Sequence, residues 1–275
     1  MSEQDGESMT VPEGEAGRFT ALIMAGSRPG GDPMARAAGV SHKCLLPVEG
    51  TPMIRRVVSA LLAAPSIGRI LISIDAPGLL DSEFADPERD RIGLLESAET
   101  PSLSALAAIE AAGGTGGPML ITTADHPLLE PALIERFCRE AEASGADIVA
   151  GLAPEQVIRT AFPESRRTYL RFRDGRFSGC NLFALLRPEG AEAIRLWRRV
   201  EKDRKRPWRI AKAFGLPMLL SYLVGWLTLE AALARLSRLA GAKAGVVVLP
   251  VAEAAVDVDK PEDLVLVEAI LRGRA

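Results

Sequence analysis

Short apolar runs that end in small or polar residues alternate along the chain with segments of helical periodicity. Residues 19–26 (FTALIMAG) and 118–125 (PMLITTAD) are runs of the first kind, while residues 53–64 (MIRRVVSALLAA) repeat their apolar positions at helical spacing. Strands buried on both faces are near-continuous apolar runs, and their alternation with helices is typical of βαβ units. The pattern predicts a three-layer α/β/α fold around a mostly parallel sheet.

The remaining segments continue this alternation and then depart from it. Further strands are expected at residues 69–75, 91–97, 146–152 and 245–251, and further helices at residues 101–112, 131–144 and 264–273. A hairpin around Asp174-Gly175 adds an antiparallel piece, which makes the predicted sheet mixed. A helix-rich insert is expected from about residue 188 to 240. We interpret residues 19–275 as one domain that contains this insert and follows a disordered acidic tail, residues 1–18.

Composition and charge narrow the classes of protein that fit. The net charge of -3 and the pI near 5.7 argue against a general nucleic-acid binder, which is usually basic. The three cysteines lie far apart without a CxxC pair, so we expect reduced thiols in a soluble cytoplasmic protein. The start of the chain lacks the features of a signal peptide, and no apolar run is long enough to predict a spanning helix.

The loop after the first strand is the first place that could carry chemistry. Small residues at the carboxyl end of a parallel strand let backbone N–H groups approach a phosphate, and a lysine adds charge. An ordinary mobile surface loop has the same composition, and the loop matches neither GxGxxG nor GxxxxGK[ST]. The candidate nucleotide-binding residues are Ala25, Gly26, Ser27, Arg28, Gly30 and Lys43.

The second and third places that could carry chemistry contain carboxylates. Asp125 stands where a buried strand ends and could hold Mg²⁺, although it could equally cap the next turn; His126 is expected to be a packed neighbour. Asp257 and Asp259 alternate along an extended segment and therefore point to one face. They would repel each other without a cation, and Lys260 could compensate them in a solvated turn.

In this order, the three places resemble the nucleotidyltransferases of the molybdopterin-cytidylyltransferase and molybdenum-cofactor-guanylyltransferase type. The motif that carries the resemblance reads Lys43-Cys44-Leu45 followed by Gly50-Thr51-Pro52-Met53, and TTADHPLL and VDVDKPEDL match further along. The resemblance covers about residues 21–123 and resumes at residue 256. It implies a nucleotide-diphospho-sugar transferase-like (GT-A-like) fold.

The resemblance also implies an activity: transfer of a nucleoside monophosphate from an NTP, with CTP or GTP favoured, to a small phosphorylated sugar, polyol or cofactor. Lys43 would contact the phosphates, and Asp125 and Asp257 would be catalytic Mg²⁺ ligands, with Asp259 a less certain third. Ser104 matches a small residue near the nucleotide, and the family's loop arginine could be Arg28 or Arg36. The acceptor phosphate is already ionised, so no catalytic base is needed.

The insert is the most individual part of the sequence. Residues 195–212 carry many cations against Glu201 and Asp203, and a strongly apolar segment follows. They could form a helical subdomain or a homodimer face, or contact a membrane surface. A further hypothesis assigns acceptor binding to Arg204, Lys205, Arg206 and Arg209. A glycosyltransferase that uses a sugar nucleotide, or a non-catalytic nucleotide-binding module, remains the alternative function.

Overall fold

The computed structural model describes residues 18–27, 30–114, 117–203 and 215–274. Within these residues, ten strands form an eight-stranded mixed sheet and a separate two-stranded sheet. In chain order the strands are β1 Phe19–Met24, β2 Pro47–Val48, β3 Thr51–Pro52, β4 Ile67–Ile74, β5 Ile92–Glu96, β6 Met119–Thr123, β7 Ile148–Pro154, β8 Leu170–Phe172, β9 Gly175–Leu185 and β10 Ala244–Val248.

The described α-helices lie between these strands and after the last of them. They are α1 Pro33–Ala37, α2 Met53–Leu62, α3 Pro101–Ala111, α4 Pro131–Ala143, α5 Glu155–Ala161, α6 Ala191–Asp203, α7 Leu216–Leu223, α8 Leu229–Ala240 and α9 Pro261–Arg274. None of these helices is both long enough and apolar enough to cross a lipid bilayer.

The main sheet has the strand order β10-β7-β9-β6-β1-β4-β5, and β8 pairs with β9 outside this path. β9 is antiparallel to its neighbours β6 and β7, whereas β1, β4, β5 and β6 run parallel to one another. It follows that β7 runs in the same direction as β6. The C-terminal ends of β1, β4, β6 and β7 therefore meet at one side of the sheet, which we call the carboxyl edge.

Helices cover both faces of the sheet and give the predicted three layers. Neighbouring residues of β1 point to opposite faces, so Ile23 belongs to the core cluster that contains Ile54 of α2 and Phe137 of α4. Leu22 belongs to the cluster on the other face, with Ala105 of α3 among its members. The fold class expected from the sequence is thus confirmed.

The start of α3 and two short helices are details that the sequence pattern does not show. Thr100 caps α3 by accepting from the Leu103 N–H, and Pro101 takes the first helical position. The short helices α1 and α5 were not expected, because five and seven residues are too few to show helical periodicity. The expected acidic tail lies almost wholly outside the described residues.

Candidate functional site

The loop after β1 is held at the carboxyl edge by its neighbours. Ala25 N–H donates to the Ser73 carbonyl at 2.8 Å, and Ser27 N–H donates to Asp75 Oδ1 at 2.8 Å. A Cβ on Gly26 would lie 3.0 Å from Ser97 Oγ, which is tighter than most real Cβ contacts, so the loop lies close against the turn after β5.

Asp75 fastens this loop to the segment that carries Lys43. Its second oxygen, Oδ2, accepts from His42 Nε2 at 2.9 Å. Partial burial works to raise the pKa of Asp75, but the hydrogen bonds from Ser27 and His42 outweigh it, and the pKa lies below its ordinary value. Asp75 was not singled out from the sequence, although its position at the end of β4 was a usable signal.

The glycines further along the loop form a turn braced by an arginine. Gly30 has φ +93°, a conformation that L side chains rarely adopt, and its carbonyl accepts from Arg36 Nη1 at 2.8 Å. Arg36 therefore holds the loop from within. Arg28, the other candidate for the family's loop arginine, lies outside the described residues.

Lys43 links the first part of the chain to both later acidic segments. It begins a 3-10 turn, Lys43–Leu45, in which the neighbouring Cys44 is buried and anchors the backbone. Its Nζ donates to Asp125 Oδ2 at 2.7 Å and to Asp259 Oδ1 at 2.8 Å. Burial alone would lower the pKa of Lys43, but the two carboxylates outweigh it and raise the pKa above its ordinary value.

Asp125 stands two residues after β6, in the turn that leads towards α4. Its carbonyl accepts from Val258 N–H at 2.9 Å, which ties the late acidic segment to the carboxyl edge. Its carboxylate does not cap a helix: Glu130 occupies the N-cap position of α4, and its side chain makes no capping hydrogen bond. The capping alternative for Asp125 is therefore wrong.

The side chains of residues 256–259 alternate as expected. Val256 and Val258 are fully buried, while Asp257 and Asp259 point the other way, and the Asp259 side chain is 56% exposed. Lys260 does not compensate the two acids; its backbone N–H donates to Asp263 Oδ2 at 3.0 Å. The compensating cations come from distant parts of the chain, Lys43 for Asp259 and Arg167 for Asp257.

Arg167 clamps Asp257 in place. Its side chain is only 8% exposed; Nη1 pairs with Asp257 Oδ1, while Nη2 donates to the Asp257 carbonyl and to Asp263 Oδ1, both at 3.1 Å. Asn181 Nδ2 donates to Asp257 Oδ2 at 3.0 Å. Burial, together with the charges of Asp259 and Asp125, nevertheless raises the pKa of Asp257, against the opposing effects of Arg167 and Asn181.

Neither Arg167 nor Asn181 was expected at the site from the sequence pattern. Arg167 lies between α5 and β8 in a segment without regular structure, beside a second arginine with the same local pattern. Asn181 has φ +49° where the pairing of β7 with β9 shifts register. Such irregularities redirect a side chain, and asparagine tolerates a positive φ better than most residues, so its presence inside an apolar strand was the one available signal.

Ser104 organises the turn that faces the glycine loop. Its side chain is buried, and Oγ accepts from Ala98 N–H at 2.9 Å. Because Gly26 contacts Ser97 in the same turn, the two loops form adjacent walls at the carboxyl edge. Contact between Ser104 and a nucleotide stays a prediction.

Two further sequence hypotheses have different outcomes. His126 is buried, with Nε2 lying 3.3 Å from the Glu253 carbonyl, and burial lowers its pKa to about 4. It is a neutral packed residue, as expected. The proposed acceptor-binding residues lie outside the described part of the chain: Arg204, Lys205, Arg206 and Arg209.

The donor atoms at this edge suit a hard divalent cation bound mainly through a few carboxylates. Asp125 Oδ1 is buried and has no hydrogen-bond partner among the described residues, as an atom reserved for a ligand would be. Within residues 18–27, 30–114, 117–203 and 215–274, no group of three or more His, Cys, Asp or Glu is placed to hold a metal by itself. Mg²⁺ commonly takes one or two carboxylates and completes its shell with water and substrate phosphates, so the pair Asp125 and Asp257 fits it.

The fold and the charged groups at the carboxyl edge indicate the class of the protein. Two solved structures that cover more than nine tenths of the chain share the fold at 12% sequence identity. One is CMP:2-keto-3-deoxy-manno-octonic acid synthetase complexed with CTP, with a TM-score of 0.57, and the other is 4-diphosphocytidyl-2C-methyl-D-erythritol synthase from Anaerococcus prevotii, with a TM-score of 0.53. The chain matches the MobA-like NTP transferase domain over residues 21–244. It belongs to that family, and the predicted nucleotidyltransferase class is confirmed.

Relatives in sequence agree with this assignment. The 2-C-methyl-D-erythritol 4-phosphate cytidylyltransferase of Gloeobacter violaceus is 28% identical over 253 residues, which cover 90% of this chain and 92% of the relative. The enzyme of the same name from Nocardia farcinica is 28% identical over 144 residues, which cover 52% of this chain and only 60% of the relative. A structure described as a hypothetical transferase from Thermus thermophilus is 33% identical, with a TM-score of 0.76, and the match covers 90% of this chain and 99% of that one.

Proposed function

We propose that this protein transfers a nucleoside monophosphate from CTP to a small phosphorylated acceptor and releases pyrophosphate. One observation carries the proposal: Lys43 Nζ bridges Asp125 and Asp259 beside Asp257 at the carboxyl edge. Ligands of open α/β sheets bind at this edge, and the small residues of the glycine loop that borders it let backbone N–H groups approach a phosphate. CTP is favoured over the other triphosphates because the sequence relatives named above are cytidylyltransferases; GTP remains the second choice.

In this reaction an oxygen of the acceptor phosphate attacks the α-phosphorus of the nucleotide. A bond forms from that oxygen to the α-phosphorus, the α–β bridging bond breaks, and the electron pair leaves with pyrophosphate. Lys43 carries its charge at neutral pH, and the carboxylates beside it raise its pKa further despite its burial. In the reaction this charge would turn to the incoming phosphates. The protein positions the reactants and neutralises their charge, and neither reactant needs a base.

Asp125 and Asp257 would hold Mg²⁺, and Asp259 would add a ligand through water once Lys43 turns to the phosphates. The bound ion supplies charge neutralisation for the triphosphate and the leaving pyrophosphate. Two observations support Mg²⁺ at this position. Asp125 Oδ1 has no hydrogen-bond partner among the described residues. Arg167 and Asn181 fix the orientation of the Asp257 carboxylate. A divalent cation would also offset the burial, and the smaller repulsion from Asp259 and Asp125, that raise the pKa of Asp257.

A glycosyltransferase of the same fold is the remaining enzymatic alternative. It would use a sugar nucleotide and would commonly hold its metal through two acids of a DxD motif after a mid-chain strand. The Asp257-Val258-Asp259 sequence of this chain lies in the late acidic segment instead, where Arg167 and Lys43 pair with its two carboxylates. Here the strand end at β6 supplies Asp125 followed by His126, which is buried and neutral. One acid at this strand end does not form the motif, and the Lys43 ammonium beside it suits the phosphates of a triphosphate.

Pyrophosphate release tests the proposal. The full-length protein is incubated with CTP, GTP, UTP or ATP and a panel of phosphorylated sugars, polyols and cofactors, with Mg²⁺ or with a chelator. We expect pyrophosphate to depend on CTP, on one acceptor class and on Mg²⁺. Turnover of a sugar nucleotide without turnover of any triphosphate would instead establish the glycosyltransferase alternative.

A further inference from the structure

Helix α7 and the turn after it expose an unusual amount of apolar surface in one place. Leu220 is 52% exposed, Leu223 69%, Val224 58% and Trp226 74%, and Leu170 of β8 is 44% exposed. Other exposed large apolar residues, such as Val265 on α9, are scattered over different elements, and single exposed residues of that kind are ordinary. We call the four residues on α7 and in the turn after it, Leu220, Leu223, Val224 and Trp226, the α7 patch.

The backbone presents the α7 patch in a fixed shape. Leu220, Leu223 and Val224 are spaced i, i+3 and i+4, so they share one helix face. Tyr222 points elsewhere and docks the helix on the β8–β9 hairpin, where its ring lies 6.2 Å from that of Phe172 in an edge-on arrangement. The apolar face is therefore the one that α7 turns away from the hairpin.

Trp226 is held by the turn that ends α7. Gly225 has φ +73°, its N–H donates to the Tyr222 carbonyl at 3.1 Å, and the Trp226 N–H donates to the Ser221 carbonyl at 2.8 Å. This is the hydrogen-bond pattern of a Schellman motif, which requires a left-handed residue after the helix. An indole that a rigid turn leaves three quarters exposed is suited to the interface between water and lipid, where its apolar ring and its N–H are both satisfied.

The charged residues near the α7 patch indicate which kind of surface it binds. Exposed Arg171 and Arg173 stand at the hairpin that carries α7, while the Asp174 carboxylate is engaged as acceptor for the Leu229 N–H. Residues 195–212 contain nine Lys and Arg against two acids, in a protein whose net charge is -3. In the sequence, this basic stretch ends three residues before α7 begins. An apolar surface beside concentrated positive charge matches anionic lipid headgroups.

The patch and the candidate site lie on the same side of the molecule. β9 begins next to the C-terminal end of β7, with Phe177 opposite Pro154, so the β8–β9 hairpin projects beyond the carboxyl edge. Asn181, which contacts Asp257, lies six residues further along β9, about 20 Å from Gly175. We propose that the α7 patch docks on an anionic lipid surface and brings the carboxyl edge of the sheet towards that membrane.

Vesicle binding by the full-length protein tests this proposal independently of catalysis. The probes are phosphatidylcholine vesicles and phosphatidylcholine–phosphatidylglycerol vesicles, at low and at physiological salt. We expect co-sedimentation with the anionic vesicles, a decrease as salt rises, and a blue shift of tryptophan fluorescence. Replacing Leu223→Ser together with Trp226→Ser should weaken partitioning at least about tenfold, because both side chains insert into the interface. The pair Arg171→Gln and Arg173→Gln should weaken binding to anionic vesicles by roughly tenfold or more.

Val265→Ser is the matched control, because Val265 is 64% exposed on α9 and lies outside the patch. It should bind vesicles as the unchanged protein does. Three results would overturn the proposal: no binding to anionic vesicles at low salt, equal loss in the control, or binding that the double serine variant retains. Self-association that the double serine variant abolishes, without vesicle binding, would assign the patch to a second copy of the chain instead.

Discussion

The Lys43 ammonium donates to the Asp125 carboxylate over 2.7 Å, although 82 positions separate the two residues in the chain. The contact joins the loop after β1 to the turn after β6, and the Val258 N–H bonded to the Asp125 carbonyl adds the late acidic segment. Three parts of the sequence thus meet at one edge of the sheet. The Lys43 ammonium partly offsets the charge of Asp125 and Asp259.

Removal of the lysine charge should weaken nucleotide use more than it weakens the fold. In Lys43→Ala we expect kcat/KM for CTP to fall about a hundredfold, because a preorganised charge on the phosphates is lost. Lys260→Ala is the control, since the structure engages Lys260 through its backbone N–H. Steady-state pyrophosphate release measures both variants. Unchanged kinetics in Lys43→Ala would place the phosphate site elsewhere.

Asp125→Ala should abolish turnover and leave the fold intact. The side chain lies at a strand end and caps no helix, so the unfolding midpoint should move by no more than about 4 °C, the equivalent of 1 kcal/mol. The near-isosteric Asp125→Asn should be almost as inactive, since it keeps the shape but loses the anionic oxygens. Thermal unfolding and pyrophosphate release together decide the matter; a variant that fails to fold would identify Asp125 as a structural residue.

We expect the loss of the Arg167 side chain to lower the stability of the folded protein. Arg167→Met leaves Asp257 and Asp263 without their shared cation in a partly buried place, and should lower the free energy of unfolding by about 3 kcal/mol. That loss corresponds to a midpoint lower by roughly 6–12 °C. Arg166→Met, at the exposed neighbouring position, should change the midpoint by less than about 2 °C. Equal midpoints for the two variants would show that the clamp adds nothing to stability.

His126 should make the protein less stable in mild acid. Its pKa is about 4 in the folded protein and about 6.5 when unfolded, so below pH 6.5 the unfolded chain binds the proton preferentially. The stability it contributes is complete above pH 6.5 and is lost as the pH falls towards 4, by roughly 3 kcal/mol in total. Urea unfolding across this range should show the loss, and His126→Gln should reduce it. The same pH dependence in that variant would contradict the assignment.

The parallel part of the fold could be predicted because each buried strand is a continuous apolar run. The ends of the runs at Met24 and Thr123 also placed Gly26 and Asp125 at one edge, since parallel strands share an edge. The insertion of antiparallel β9 between β6 and β7 could not be predicted. Its position depends on packing against both neighbours, which involves residues far apart in sequence.

The acids of the site were visible in the sequence, whereas the groups that orient them were not. Asp257 and Asp259 alternate in an extended segment, and this local pattern is the same in the sequence and in the folded protein. Arg167 reaches Asp257 across 90 positions from an irregular segment, and Asn181 does so from a register shift. Long-range ion pairs leave no local periodicity, so the nearby Lys260 was the more obvious partner and proved to be the wrong one.

The most direct measurement of the central claim is a crystal structure of the protein with CTP and Mn²⁺, which replaces Mg²⁺ and scatters anomalously. The account predicts an anomalous peak held by Asp125 and Asp257, with the triphosphate beside Lys43 and the glycine loop. A triphosphate bound away from the carboxyl edge, or a metal peak that touches neither acid, would contradict it.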